Sequence, residues 1–273
     1  LERMKDRKRA IRLCRNCGYI DKEMELLNCL LNQNPEDYHA WFDKEKALVE
    51  IIGRDAINKV WKTNDTRAMR CVFSWQMMTD TENFSKFKEL VQHDPRNEER
   101  LNILSKVIKL NPEYSIAKRK LADLLFDYGR FEQAWALVDS MEVVEWMVAS
   151  EGPPDLALFS RERILEKLCN EYIKGGQYNN ALKILDKEIT SKTPHEAHLL
   201  AGTWYQKARV CGAMGDRINA IRCLQKAFAL EPERRNWAAT KDDEILKELL
   251  PDNALKSNWF TKIFHKSLSQ RRK

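Results

Sequence analysis

The stretch GAMGDRINAIRCLQKAFALEP, residues 212–232, places two glycines before an amphipathic run and a proline behind it. Extended upstream, it yields one pattern: Trp204, Ala208, Cys211, Gly215, Ala220, Leu224, Ala227 and Pro232. Steps of three and four lay residues along one helical face. Gly215 falls between two such runs, where a tight turn needs a small residue. Pro232 stops the second run. The reading is a helix–turn–helix unit, with Ala208 and Ala220 small where two antiparallel helices approach closely.

The pattern recurs. Leu165, Cys169, Tyr172, Gly176, Ala181, Leu185 and Thr193-Pro194 repeat it, as do Leu121, Ala122, Leu125, Gly129, Phe131, Ala134 and Val138. Near the start, Ile11, Cys14, Gly18, Leu27, Leu30 and Pro35 fit, but Glu23 stands where alanine is expected. A further copy starts at Trp41 and is expected to turn near Gly53, with Ala56 close behind. A helical hairpin cannot bury its apolar face alone, so repeated hairpins stack into a solenoid.

These residues resemble the tetratricopeptide repeat family, whose pattern runs W-x2-L-G-x2-Y, A-x3-F and P over about 34 residues. The copy at 201–234 is close to it; those at 115–148 and 162–194 follow it well, and those at 4–37 and 38–70 more loosely. Residues 64–112 hold helical segments whose pairing the pattern leaves open. The resemblance implies an all-α, right-handed superhelical solenoid over residues 1–239. Residues 240–273 are expected to supply capping helices and a basic tail, with Trp259 and Ile263 on the covering face.

Composition agrees with this fold class. Hydrophobic residues make up 43% and charged residues 32% of 273, with only nine glycines and eight prolines. That is too little turn chemistry for an all-β fold. No apolar run approaches the roughly 20 residues that span a bilayer. The chain opens on Leu1, as a segment of a larger protein would. Seven cysteines, mostly on apolar faces, point to reduced thiols in the cytoplasm, or in the nucleus. The sequons at Asn64 and Asn83 matter only in a secreted protein.

No catalytic motif is legible. His195-Glu196-Ala197-His198 is one residue short of the spacing that sets two zinc ligands one helical turn apart. Cys14-x2-Cys17 has no second pair; Cys14 stands where the repeat wants an apolar residue and Cys29 lies among Leu26, Leu27 and Leu30, so these two read as small core hydrophobes. No enzyme, cofactor or metal is expected. Trp41 and Trp204 read as core packing, as do Trp61, Trp75, Trp135 and Trp146.

The first helix of each hairpin normally lines the concave face. The candidate groove residues are Lys5, Lys8, Arg12 and Arg15, then Phe42 and Lys46 beside His39, then Arg119 and Phe126, then Asn170, then Tyr205 and Arg209. Four basic residues on the first stripe suit an acidic or carboxylate-bearing segment. The stripe is expected to matter for binding rather than for stability. The expected function is therefore a non-enzymatic interaction scaffold for a protein or peptide partner. Alternatives are a substrate-recruiting or regulatory segment of a larger enzyme, such as a glycosyltransferase, and a nucleic-acid-binding helical repeat. A net charge of +6 is modest for the latter. The basic C-terminal helix is a second candidate surface, for an anionic membrane.

Overall fold

The computed structural model describes residues 2–61, 81–149, 154–191, 197–231 and position 245. Every element among them is an α-helix, with no strand among the described residues. The chain divides into two compact units, Leu1–Pro154 and Asp155–Lys273. Most of the expected C-terminal cap, with Trp259 and Ile263, lies outside the described residues, as do Trp75 and the His195-Glu196 pair.

The first unit holds α1 (Glu2–Cys17), α2 (Ile20–Gln33), α3 (Tyr38–Trp61), α4 (Thr81–Gln92), α5 (Asn97–Leu110), α6 (Ser115–Asp127), α7 (Phe131–Asp139) and α8 (Val143–Val148). The second holds α9 (Pro154–Lys174), α10 (Tyr178–Ser191), α11 (Ala197–Ala213) and α12 (Arg217–Leu230). Within each unit helices pack on neighbouring helices, α1 on α2 and α2 on α3, α6 on α7, α10 on α11 and α11 on α12, consistent with an all-α helical-repeat solenoid.

Four hairpin turns share one geometry. The glycines at 18, 129, 176 and 215 all have φ between 67° and 78°. At the last, the Gly215 N–H donates to Gly212 O at 2.9 Å and the Asp216 N–H to Cys211 O at 2.9 Å. The same pair of bonds recurs at Gly18, Gly129 and Gly176. This is the Schellman closure, which satisfies carbonyls a helix end leaves unpaired. It needs a left-handed residue, which glycine adopts without a Cβ penalty. The Asp216 carboxylate then caps α12 by accepting from the Asn219 N–H at 3.1 Å.

Each hairpin closes on the residues the spacing marks. Ala208, Ala220, Leu224 and Ala227 are fully enclosed, and Cys211, Cys223 and Phe228 are buried with them. Ala181 and Leu185 are equally enclosed in α10, and Ala122, Ala134 and Val138 in the α6–α7 hairpin.

Two expectations about the first unit fail. Gly53 makes no turn: α3 runs unbroken from Tyr38 to Trp61 and buries Leu48, Ile52, Ala56 and Ile57 along one line. A lone glycine costs a helix only about 1 kcal/mol, and no proline or capping residue follows to end it. Of the segments whose pairing was left open at 64–112, residues 64–80 lie outside the described residues, and the two that follow both pack on that long helix. Phe87 of α4 packs on Ala56 and Ile57, while α5 packs on α3 and then on α6. The aromatic expectation also needs correcting. Trp135 and Trp146 are core residues, whereas Trp41, Trp61 and Trp204 sit half-buried at core edges. Each of these three still packs against a core cluster from its edge.

Glu23, at the site where alanine is expected, is only 1% exposed. Arg15 of α1 donates to its Oε1 through Nε at 2.8 Å and through Nη2 at 2.5 Å. The solution recurs twice. Arg100 of α5 donates to the enclosed Glu45 of α3 through Nε at 3.0 Å and Nη2 at 2.9 Å. Arg161 of α9 donates to Glu188 of α10 at 3.0 Å. A buried carboxylate is tolerable only when paired, and a guanidinium fork supplies that pairing across a helix interface.

A candidate partner groove between α1 and α3

Lys8, Arg12 and Arg15 project from α1 at steps of four and three, toward the first turns of α3. Lys8 Nζ bonds Asp37 at 2.9 Å. Asp37 also accepts from the Ala40 N–H at 3.0 Å, capping α3. Burial alone would raise its carboxyl, but the Lys8 ammonium and the Ala40 amide hold it below the usual carboxylate value. Arg12 is exposed and makes no ion pair among the described residues. Lys8 and Arg12 border a pocket of about 280 Å3 with His39 and Asp43, floored by Ile11, Leu27, Leu30 and Ala40. The site is thus a cationic rim over an aliphatic floor, with one carboxylate on the far side.

Arg15 belongs to a different arrangement. It holds Glu23 and reaches Asp43 at 3.3 Å. Burial works against its charge, yet those two carboxylates outweigh it and hold the guanidinium above its ordinary range. On Glu23 burial dominates, and the carboxyl is pushed up despite Arg15. Arg15 is therefore a structural cation, which corrects the expectation that the whole stripe is dispensable for stability. Lys5 lies on α1, with its side chain outside the described ones.

Of the other candidates, Phe42, Lys46, Arg119 and Phe126 belong to the first unit. Phe42 is 3% exposed, closed over by Tyr114 with ring centroids 5.0 Å apart. Lys46 lies 4.8 Å above the Phe42 ring, and Lys120 lies 5.5 Å above it. Phe42 is thus core, because the α5–α6 loop brings Tyr114 onto it, a contact no hairpin pattern contains. Arg119 donates to Trp146 O at 3.0 Å and stacks over that ring at 4.8 Å. Phe126 is half-buried against Phe131. In the second unit Arg209 donates to Asn170 Oδ1 at 2.7 Å, so these two do meet. Tyr205 is 5% exposed and belongs to the core.

The cysteine expectation holds for some thiols only. Cys169, Cys211 and Cys223 are buried, Cys14 is half-buried, and Cys17 and Cys29 are exposed. Cys29 lies off the Leu27–Leu30–Leu31 line that α2 buries. Asp37 and Asp43 were missed as groove residues. The signal was present for Asp37, an acidic residue three positions before Ala40 at a helix start.

Comparison with known families bears on the second unit. Residues 201–234 match the family model described as Tetratricopeptide repeat. Residues 201–234 are a tetratricopeptide repeat. They span most of α11, the Gly215 turn and α12. No curated protein matches the chain. A tetratricopeptide repeat suggests a protein–protein interaction scaffold; the family is generally non-enzymatic and its domains typically bind protein partners. No helix among the described residues is long and apolar enough to cross a membrane.

Proposed function

We propose that the protein is a non-enzymatic scaffold that takes an acidic or carboxylate-bearing segment of a protein partner in the α1–α3 groove. The observation carrying this reading is Arg12, which makes no ion pair among the described residues, beside Lys8 and above a floor of Ile11, Leu27 and Leu30. A guanidinium without an internal carboxylate offers a bidentate site for one from outside. The pocket volume suits one anchoring side chain rather than a whole small-molecule ligand. The ligand would set a carboxylate on Arg12 and an aliphatic side chain on the floor. Asp43, across the pocket, would repel a second carboxylate there and so fix the direction of binding.

Fluorescence anisotropy with a labelled peptide alternating Glu and Leu tests the reading. The wild-type protein binds it, and Arg12→Glu weakens binding at least about tenfold, the equivalent of about 1.4 kcal/mol. A peptide with Gln for Glu binds no better than the mutant binds the acidic one. Equal affinity of wild type and mutant for the acidic peptide would remove the groove from consideration.

A further inference from the structure

In the second unit the two helices of the tetratricopeptide repeat face each other with a thiol on each. Cys211 of α11 and Cys223 of α12 share the core with Ala208, Ala220 and Leu224. They are not sealed in. Both line a pocket of about 670 Å3 whose wall includes Trp204, Lys207, Asp186 and Lys226. Lys226 Nζ stands 3.9 Å over the Trp204 ring and Lys207 5.5 Å from it, with Lys207 paired to Asp186. The proposed groove does not use this pair.

We propose that Cys211 and Cys223 form a peroxide-oxidisable dithiol, a modification site that closes to a disulfide across the α11–α12 hairpin. The chemistry divides between them. The Cys223 hydrogen bond favours the Cys211 thiolate most, with the Lys207 charge helping, while burial, Asp216 and Asp186 oppose it. Cys223 is held protonated by the same bond and by burial, against Lys207 and Lys226. Thiolates, not thiols, attack peroxides. The Cys211 thiolate attacks one oxygen of hydrogen peroxide and the O–O bond breaks. The departing hydroxide takes a proton and leaves as water, and Cys211 becomes a sulfenic acid. The Cys223 sulfur then attacks that sulfenic sulfur, the S–O bond breaks, and its thiol proton leaves with the hydroxyl as a second water. Two electrons pass from the thiols to one peroxide. An external dithiol reverses the change.

The rest of the unit supplies an internal control. Cys169 is 1% exposed, and burial pushes its thiol up to about 12, so it is inert to the same reagent.

The test is a peptide map of the full-length protein after limited peroxide, with alkylation of free thiols and digestion without reductant. Wild type yields a linked pair of peptides containing Cys211 and Cys223, two hydrogens lighter than the free pair, while Cys169 stays alkylated. Dithiothreitol restores both thiols. In Cys223→Ser the reaction stops at Cys211, which a dimedone probe captures. The wild-type map needs no variant, so a Cys223→Ser protein that misfolds leaves the test standing. Cys211 and Cys223 both recovered as free thiols, under peroxide that has consumed the exposed Cys17 and Cys29, would overturn the assignment. So would a Cys211 linked to any residue other than Cys223.

Discussion

Arg15 on α1 and Glu23 on α2 pair across the first hairpin, with Glu23 buried at the repeat position that Ala220 holds in the hairpin of α11 and α12. The first hairpin thus packs through an ion pair where the last packs through Ala220. Removing one partner of a buried charged pair strands the other. Arg15→Ala is expected to lower the unfolding free energy by about 1.5–3 kcal/mol, the range for a hydrogen bond to a charged group. Glu23→Ala combined with Arg15→Ala recovers most of that loss, because no charge is left uncompensated. Urea denaturation followed by circular dichroism measures both. A double mutant as unstable as Arg15→Ala would show that the pair does not act as a unit.

Two glycines respond oppositely to alanine. Gly215 has φ +78° with open space around its Cβ direction, so Gly215→Ala carries only the backbone penalty, about 1–2 kcal/mol. Gly53 lies within a continuous helix, again with nothing near an added Cβ. Gly53→Ala is expected to stabilise the protein by about 0.5–1 kcal/mol. Thermal melts of the two variants read this directly, and destabilisation by Gly53→Ala would restore a turn at that site.

Asp94 predicts part of the acid behaviour. Its carboxylate accepts from the Arg96 side chain at 2.8 and 2.7 Å and from the Arg96 N–H at 2.9 Å. The Arg96 guanidinium chiefly, against burial, holds its carboxyl below the ordinary 3.8. A folded value below the unfolded one contributes stability that is full above the unfolded value and is lost as pH falls through the folded one. Asp94→Asn is expected to flatten stability against pH below about pH 4. Glu23 has the opposite sign, since burial holds its carboxyl above the ordinary 4.5. Its contribution is present below that value and is lost as pH rises through the raised one. Denaturation midpoints measured from pH 2 to 5 for both proteins check the difference; identical slopes would contradict it.

The hairpins were legible because their determinants are local. A glycine at a left-handed turn and small residues at steps of three and four fix a hairpin without reference to anything outside it, as at Gly176 and Ala181. Gly53 misled because a helix tolerates one glycine when the apolar line through Ile52, Ala56 and Ile57 continues past it. Phe42 misled for a nonlocal reason: Tyr114, far along the chain, covers it. Of the groove, the cations Lys8 and Arg12 were visible as a stripe. Arg15 could not be separated from them, because its role is set by Glu23 on the next helix.

The binding reading rests most heavily on Arg12, which is exposed and serves no internal pair among the described residues. Replacing it should leave the fold alone, since exposed charges usually change stability by no more than about 0.5 kcal/mol. The decisive measurement is a titration of the labelled Glu–Leu peptide against wild type and Arg12→Glu, with the melt of each recorded alongside. The account predicts unchanged melting and an affinity loss of at least about tenfold, falling away as salt is raised. Unchanged affinity in a protein that melts like wild type would contradict it.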